Sequence, residues 1–201
     1  MNEVSLLEEM LNTGVVGDIE VAAGPLQLIG YPKSEEVVEK CVAVIGVSDG
    51  DVVVRASAYD TYLRNRAVVD NEETWALGDV IEFFVQPSGR DDYFEFHVTP
   101  EKKRLQLHFP DYRTQGMQPF EEKLCDAGLR VWVRVVEGCV WLSEMRVSFD
   151  ALGLKPGQGV RFAVCRYNYG KVGVAEMSAS FHARRGFGFH YPPAWAETAL
   201  P

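Results

Sequence analysis

The chain has no long hydrophobic run, no dense basic segment and no closely spaced cysteine pair, and each absence removes a class of protein. None of its 201 residues lies in an apolar stretch approaching the length of a membrane span, so no membrane partner is expected. Lysine and arginine total 20 against 29 aspartates and glutamates, a formal charge of −9. Polyphosphate recognition rests on cations that displace counterions, so no nucleic-acid partner is expected. The four cysteines, Cys41, Cys125, Cys139 and Cys165, form no C-x-x-C pair, which argues against a zinc ribbon or a thioredoxin-like centre. Cys41, Cys139 and Cys165 sit in apolar text and read as small buried hydrophobes. No P-loop and no dinucleotide fingerprint is present. The first twelve residues lack a basic n-region and an apolar h-region, so the chain as written reads as cytoplasmic, or as extracellular or periplasmic if a leader has been removed.

What the chain does have is strand text. At 47% hydrophobic it can bury a full core without disulfides, and the expectation is one domain over residues 1–201, with an N-terminal arm and first strands over 1–36. Residues 2–11 read as a short amphipathic helix or arm. Residues 41–47 are apolar and close on Ser48-Asp49-Gly50-Asp51, a hairpin signal. Residues 52–59 alternate, with Val52, Val54, Ala56 and Ala58 opposed to Val53, Arg55, Ser57 and Tyr59. Further strands are expected over 80–86, 93–99, 104–108, 129–136, 139–147 and 160–168, with an irregular excursion over 110–123. Residues 149–154 read as a short helix or turn, and the tail as ordered loops with a closing strand. Many strands, turn signals between them and almost no helical period predict an all-β antiparallel sandwich.

Several strands carry charge where apolar neighbours surround it. Glu82 shares a face with Val80 and Phe84, Glu144 with Val140 and Leu142, and Arg166 with Phe162 and Val164. Such groups either pair inside the sandwich or line a concave site open to water. Trp75, in Glu73-Thr74-Trp75-Ala76-Leu77-Gly78-Asp79, stands at the mouth of the strand that carries Glu82 and could be a plate for a flat apolar ligand face. Carbohydrate sites combine such plates with carboxylates and guanidinium groups that bind hydroxyls. His97 lies beside Glu95 on one strand face, and His190 in Phe189-His190-Tyr191-Pro192-Pro193; a metal pair from these two is a weaker reading. Glu82 and Glu144 could be cast as the two carboxylates of a glycan-active enzyme.

The chain resembles the family 9 carbohydrate-binding modules, which are related in fold to the DOMON domains. The most specific likeness is Trp75-Ala76-Leu77-Gly78-Asp79-Val80-Ile81-Glu82-Phe83-Phe84-Val85, similar to the family's W-x-x-D-x-(V/I)-E-x-F run. Supporting pieces are the strand ending in Tyr59-Asp60, the strand Tyr93-Phe94-Glu95-Phe96-His97-Val98, the segment from Trp141 to Gly157 and the closing Phe189-His190-Tyr191-Pro192-Pro193-Ala194-Trp195. The resemblance implies a jelly-roll-like β-sandwich that holds a mono- or oligosaccharide between two aromatic rings without catalysis. It assigns Trp75 to the first ring, Phe189 to the second, where the family carries Trp, Glu82 to a sugar-contacting carboxylate and His97 to the place of an arginine. Arg166 and His190 complete the expected ligand-binding set. Some members carry structural calcium, whose ligands cannot be placed on this sequence. A DOMON-like binder of haem or another redox cofactor, with Met177, His97 or His190 as axial ligands, is the alternative.

Overall fold

The computed structural model describes residues 19–136, 139–171, 173–182 and 188–201. The expected N-terminal helix or arm over 2–11 lies outside them. Two antiparallel sheets pack face to face, as the strand text predicts. The smaller has the order β1 (Glu20–Gln27), β3 (Cys41–Ser48), β4 (Asp51–Tyr59), β9 (Val140–Ser148), β8 (Arg130–Val136). The larger runs β2 (Ile29–Tyr31), β11 (Ala175–Ala179), β10 (Gly159–Tyr169), β5 (Val80–Pro87), β6 (Tyr93–Val98), β7 (Arg104–Phe109). A short β12 (Ala196–Ala199) pairs the first part of β10, and β11 pairs the second.

Local chemistry explains the hairpins. Asp49 and Gly50 both take positive φ, 53° and 78°, the conformation a two-residue β3–β4 turn needs to match strand twist. Gly46-Val47-Ser48-Asp49-Gly50 also spells the G-x-S-x-G pattern of a hydrolase nucleophile elbow. Here it ends a strand and turns into another, without the strand–turn–helix geometry that exposes a nucleophile. The excursion over 110–123 carries one helical turn, α2 (Phe120–Lys123), which follows α1 (Thr74–Leu77) and precedes α3 (Phe149–Leu152). Ser148 caps α3 by accepting from the Ala151 N–H. Cys41 and Cys165 are buried as expected, but Cys139 is exposed, standing just before β9 at a positive φ of 68°.

The period of two sorts the residues. Ile81, Phe83 and Val85 of β5, Phe94 and Phe96 of β6 and Phe162 and Val164 of β10 meet Val52, Val54, Ala56, Trp141 and Met145 of the smaller sheet in the main core. The opposite face of the larger sheet is also covered. Phe84, Tyr93, Leu105, Leu107 and Phe109 form a second apolar cluster with Phe189 and Trp195 from the chain's last segment. Both faces of β5 and β6 are therefore buried, and polar residues on the outer face are not solvated by default.

Candidate functional site

The site is built around the Trp75 turn. Asn65 holds that turn with its side-chain amide, which donates to the carbonyls of Thr74 (2.9 Å) and Asp79 (3.0 Å). Gly78 takes φ 148°, and a β-carbon there would meet the Arg64 carbonyl oxygen at 2.1 Å. A side chain at 78 would drive the 64–65 segment off the turn. Asp79 accepts from the backbone N–H of Arg64 at 2.5 Å and of Tyr169 at 2.6 Å. Burial pushes its carboxyl up to about 6, against the pull of those two hydrogen bonds. The aspartate of the W-x-x-D-like run is thus a structural tie. The Tyr169 hydroxyl donates to the Trp75 carbonyl at 2.7 Å, so the indole is presented from a turn secured on three sides.

Beneath the indole lies a polar floor on the outer face of the larger sheet. Glu82 and His97 are direct cross-strand partners, and Glu95 stands two residues from His97 on the same face. All three are at most 3% exposed. His97 Nδ1 lies 2.7 Å from Thr74 Oγ1, and its Nε2 lies 2.6 Å from Glu95 Oε1 and 3.4 Å from Glu82 Oε1. His190 Nδ1 accepts or donates across 2.8 Å to the Tyr93 hydroxyl and lies 3.8 Å from Glu95 Oε2. Glu95 Oε2 is buried without a hydrogen-bond partner.

The two carboxyls are driven apart in acidity. Burial, then the charge on Glu95, pushes Glu82 well above the carboxylate range. Burial also penalises Glu95, but the pull of His190 and the hydrogen bond from His97 outweigh it and hold that carboxyl low. Glu95 is the ionised member and Glu82 the one that keeps its proton to higher pH. Burial pushes His190 below its usual value, against the attraction of Glu95.

A cleft of about 320 Å³ opens above this floor. Trp75, half-buried, forms one wall, its ring edge-on to Phe120 (5.8 Å) and to His97 (5.7 Å). Phe189, Tyr167 and Phe109 also line the cleft, and Lys123 stands at its side, 5.5 Å above the Phe109 ring. Burial keeps the Tyr167 phenol protonated, a donor within the cleft. Phe189 is 5% exposed and packs against Tyr31 (4.7 Å), Tyr167 (5.6 Å) and Phe84 (6.3 Å), so much of its ring is committed to the second cluster. Its carbonyl accepts from the Trp195 indole N–H at 2.8 Å.

Five of the six expected ligand residues, Trp75, Glu82, His97, Phe189 and His190, gather around this cleft; Arg166 does not. Arg166 points to the inner side of β10 and is fully buried. Its guanidinium donates to the carbonyls of Glu39 and Tyr59, to Asp60 Oδ2 at 2.9 Å and to Asn168 Oδ1 at 3.1 Å. Glu144 is also elsewhere. It lies on the outer face of the smaller sheet, paired with Arg55 (2.8 Å) and Arg146 (2.5 Å). Glu82 and Glu144 therefore cannot flank one glycosidic bond. Both fates foreseen for charged strand residues occur: Arg166 and Glu144 pair, and Glu82 meets a cleft. Met177 packs half-buried on the second cluster, and both His97 nitrogens have protein neighbours.

Sequence reasoning left out Glu95, Phe109, Phe120, Lys123 and Tyr167 as site residues. Glu95 was legible as the i−2 neighbour of His97; the others reach the cleft only through β7, β10 and the 110–123 excursion. Among the described residues, Glu82, Glu95 and His97 are the one group of three His, Cys, Asp or Glu side chains that could hold an ion. An imidazole with two carboxylates differs from the all-oxygen shell calcium takes, so this group does not fit the structural calcium of the family.

No family model matches the chain, and no curated protein matches it in sequence. Solved structures do match in fold. A protein of Bacteroides uniformis assigned to carbohydrate binding aligns with a TM-score of 0.68 at 16% identity, covering 91% of this chain and 87% of that one. A family 9 carbohydrate-binding module of Caldicellulosiruptor kristjanssonii in complex with glucose aligns with a TM-score of 0.62 at 15% identity, covering 94% and 89%. A family 9 module of the same organism in complex with cellotriose aligns with a TM-score of 0.60 at 14% identity, covering 91% and 82%. The chain has the fold of the family 9 modules.

Proposed function

We propose that this protein is a non-catalytic carbohydrate-binding module that takes a mono- or oligosaccharide end into the Trp75 cleft. The observation that carries this reading is Glu95 Oε2, a buried carboxylate oxygen without a partner on the floor of a cleft walled by an indole. A buried acceptor left unpaired costs about 1–3 kcal/mol, more when charged, and a ligand hydroxyl that donates to it recovers that cost. Sugars supply such donors on their edges and apolar C–H patches on their faces, which the indole of Trp75 covers. The volume, near the lower end of the roughly 300–1,000 Å³ of small-ligand sites, suits one or two sugar rings better than a long chain.

The fold neighbours support the reading, since family 9 modules are seen with glucose and with cellotriose. In this chain Trp75 is the main plate, Phe189 a backing wall rather than an equal second plate, and Glu82, Glu95 and His97 the hydroxyl partners. Titration calorimetry and tryptophan fluorescence against a panel of mono- and oligosaccharides test it. Saturable binding that disappears in Trp75→Ala is expected; a folded protein that answers no glycan in the panel overturns it.

A further inference from the structure

Two carboxylates share the cleft floor with the His97 imidazole, and their cationic neighbours are few. Within 4.0 Å, Glu82 meets only His97, and Glu95 meets only His97 and His190; among the described residues no lysine or arginine bridges either. The three potential donor atoms lie within 4.8 Å of one another. We infer that Glu82, Glu95 and His97 form a divalent transition-metal site of the zinc class, with its open position facing the cleft.

The geometry is close to what such an ion needs. Tetrahedral ligands at roughly 2.0–2.2 Å from zinc stand about 3.3–3.6 Å apart. His97 Nε2 and Glu82 Oε1 are already 3.4 Å apart. Glu95 Oε1, at 2.6 Å from Nε2, is nearer because a hydrogen lies between them, and it moves out when the ion replaces that hydrogen. Thr74 Oγ1, 2.7 Å from Nδ1, is placed to donate to it while Nε2 carries the hydrogen, and to accept from Nδ1–H in the tautomer that leaves Nε2 free to ligate. With the Glu82 proton released on binding, a divalent ion balances the two carboxylates, and the mixed imidazole–carboxylate set favours zinc, cobalt or nickel over calcium or magnesium. Glu95 Oε2, buried and unpartnered, gives the carboxylate freedom to ligate through either oxygen. The fourth position opens to the cleft, where water or a ligand hydroxyl completes the shell.

This inference goes beyond sugar binding, and the two fail separately. The test is dialysis of chelator-stripped protein against zinc, with metal content measured, and titration with cobalt, read by visible ligand-field bands. One equivalent of either metal is expected. Glu82→Gln and His97→Gln should abolish stoichiometric binding, and the near-isosteric Thr74→Val should weaken it about 10–100-fold. Wild-type protein that binds neither metal overturns the inference, as does undiminished binding in folded Glu82→Gln. Should His97→Gln not fold, the imidazole resonances of wild-type His97 decide: an unchanged spectrum on adding zinc also overturns it. Sugar binding by protein that takes up no metal removes the metal site and leaves the carbohydrate reading. Metal uptake without response to any sugar supports the metal site and removes the carbohydrate reading.

Discussion

Glu82 and His97 face each other across β5 and β6, with Oε1 and Nε2 3.4 Å apart and both side chains buried. A carboxyl whose acidity is weakened by folding lowers stability once it ionises. Its favourable contribution is fully present below its unfolded value and is lost as pH rises through the folded one. Glu82 is raised well above 4.5, whereas Glu95 is lowered and stays ionised through the neutral range. The Glu82 contribution should therefore make wild-type stability fall as pH rises above the ordinary glutamate range, and Glu82→Gln should flatten that slope. Thermal unfolding at a series of pH values above that range measures both; a variant with the wild-type slope contradicts the assignment.

Trp75 is half-buried, secured by its backbone and partly packed on the second apolar cluster, and on the proposed function its indole is the main plate for the sugar. Trp75→Ala should weaken glycan binding by about 2 kcal/mol or more, roughly 30-fold, as truncated aromatic anchors do. Calorimetry on the variant, with near-ultraviolet circular dichroism as the check on folding, gives the answer.

Phe189 should behave in the opposite way. It is 5% exposed and enclosed by Tyr31, Tyr167 and Phe84, and Phe→Ala in such a setting costs about 3–5 kcal/mol. Phe189→Ala should lower the urea midpoint well beyond Trp75→Ala. Equal midpoints would mean that Phe189 is a ligand plate after all.

Arg166 is predicted to matter for stability alone. Its two Nη atoms serve four acceptors, two of them the carbonyls of Glu39 before β3 and Tyr59 at the end of β4, in a fully buried position. A lysine ammonium cannot reproduce that fork. Arg166→Lys keeps the charge opposite Asp60 but leaves buried acceptors of the fork unpaired, and should cost about 1–3 kcal/mol or more in denaturant unfolding. Glycan affinity measured well below the variant's unfolding midpoint should remain that of the wild type.

The strand pattern was legible because period two is a local property. Residues 52–59 alternate visibly, and Asp49-Gly50 announces the turn before them. The site was legible in part. Trp75, Glu82 and His97 could be named because two lie within one run and the third is on the next strand, where antiparallel pairing places it opposite Glu82. Arg166 was misplaced for a physical reason. Alternation groups it with Phe162 and Val164, but it does not say whether that set faces the other sheet or the outside.

What the sequence by itself determined is the sandwich, its principal hairpins and the presentation of an indole ahead of β5, all consequences of neighbours in the chain. Only the tertiary structure decided which face of the larger sheet carries the cleft. The ladder brings Tyr167 of β10 alongside Val80, and the last segment carries Phe189 and His190 over Phe84 and Tyr93. Those contacts span about a hundred residues, and no local period encodes them. They cover the outer face with a second apolar cluster, and that burial drives the acidities of Glu82 and Glu95 apart.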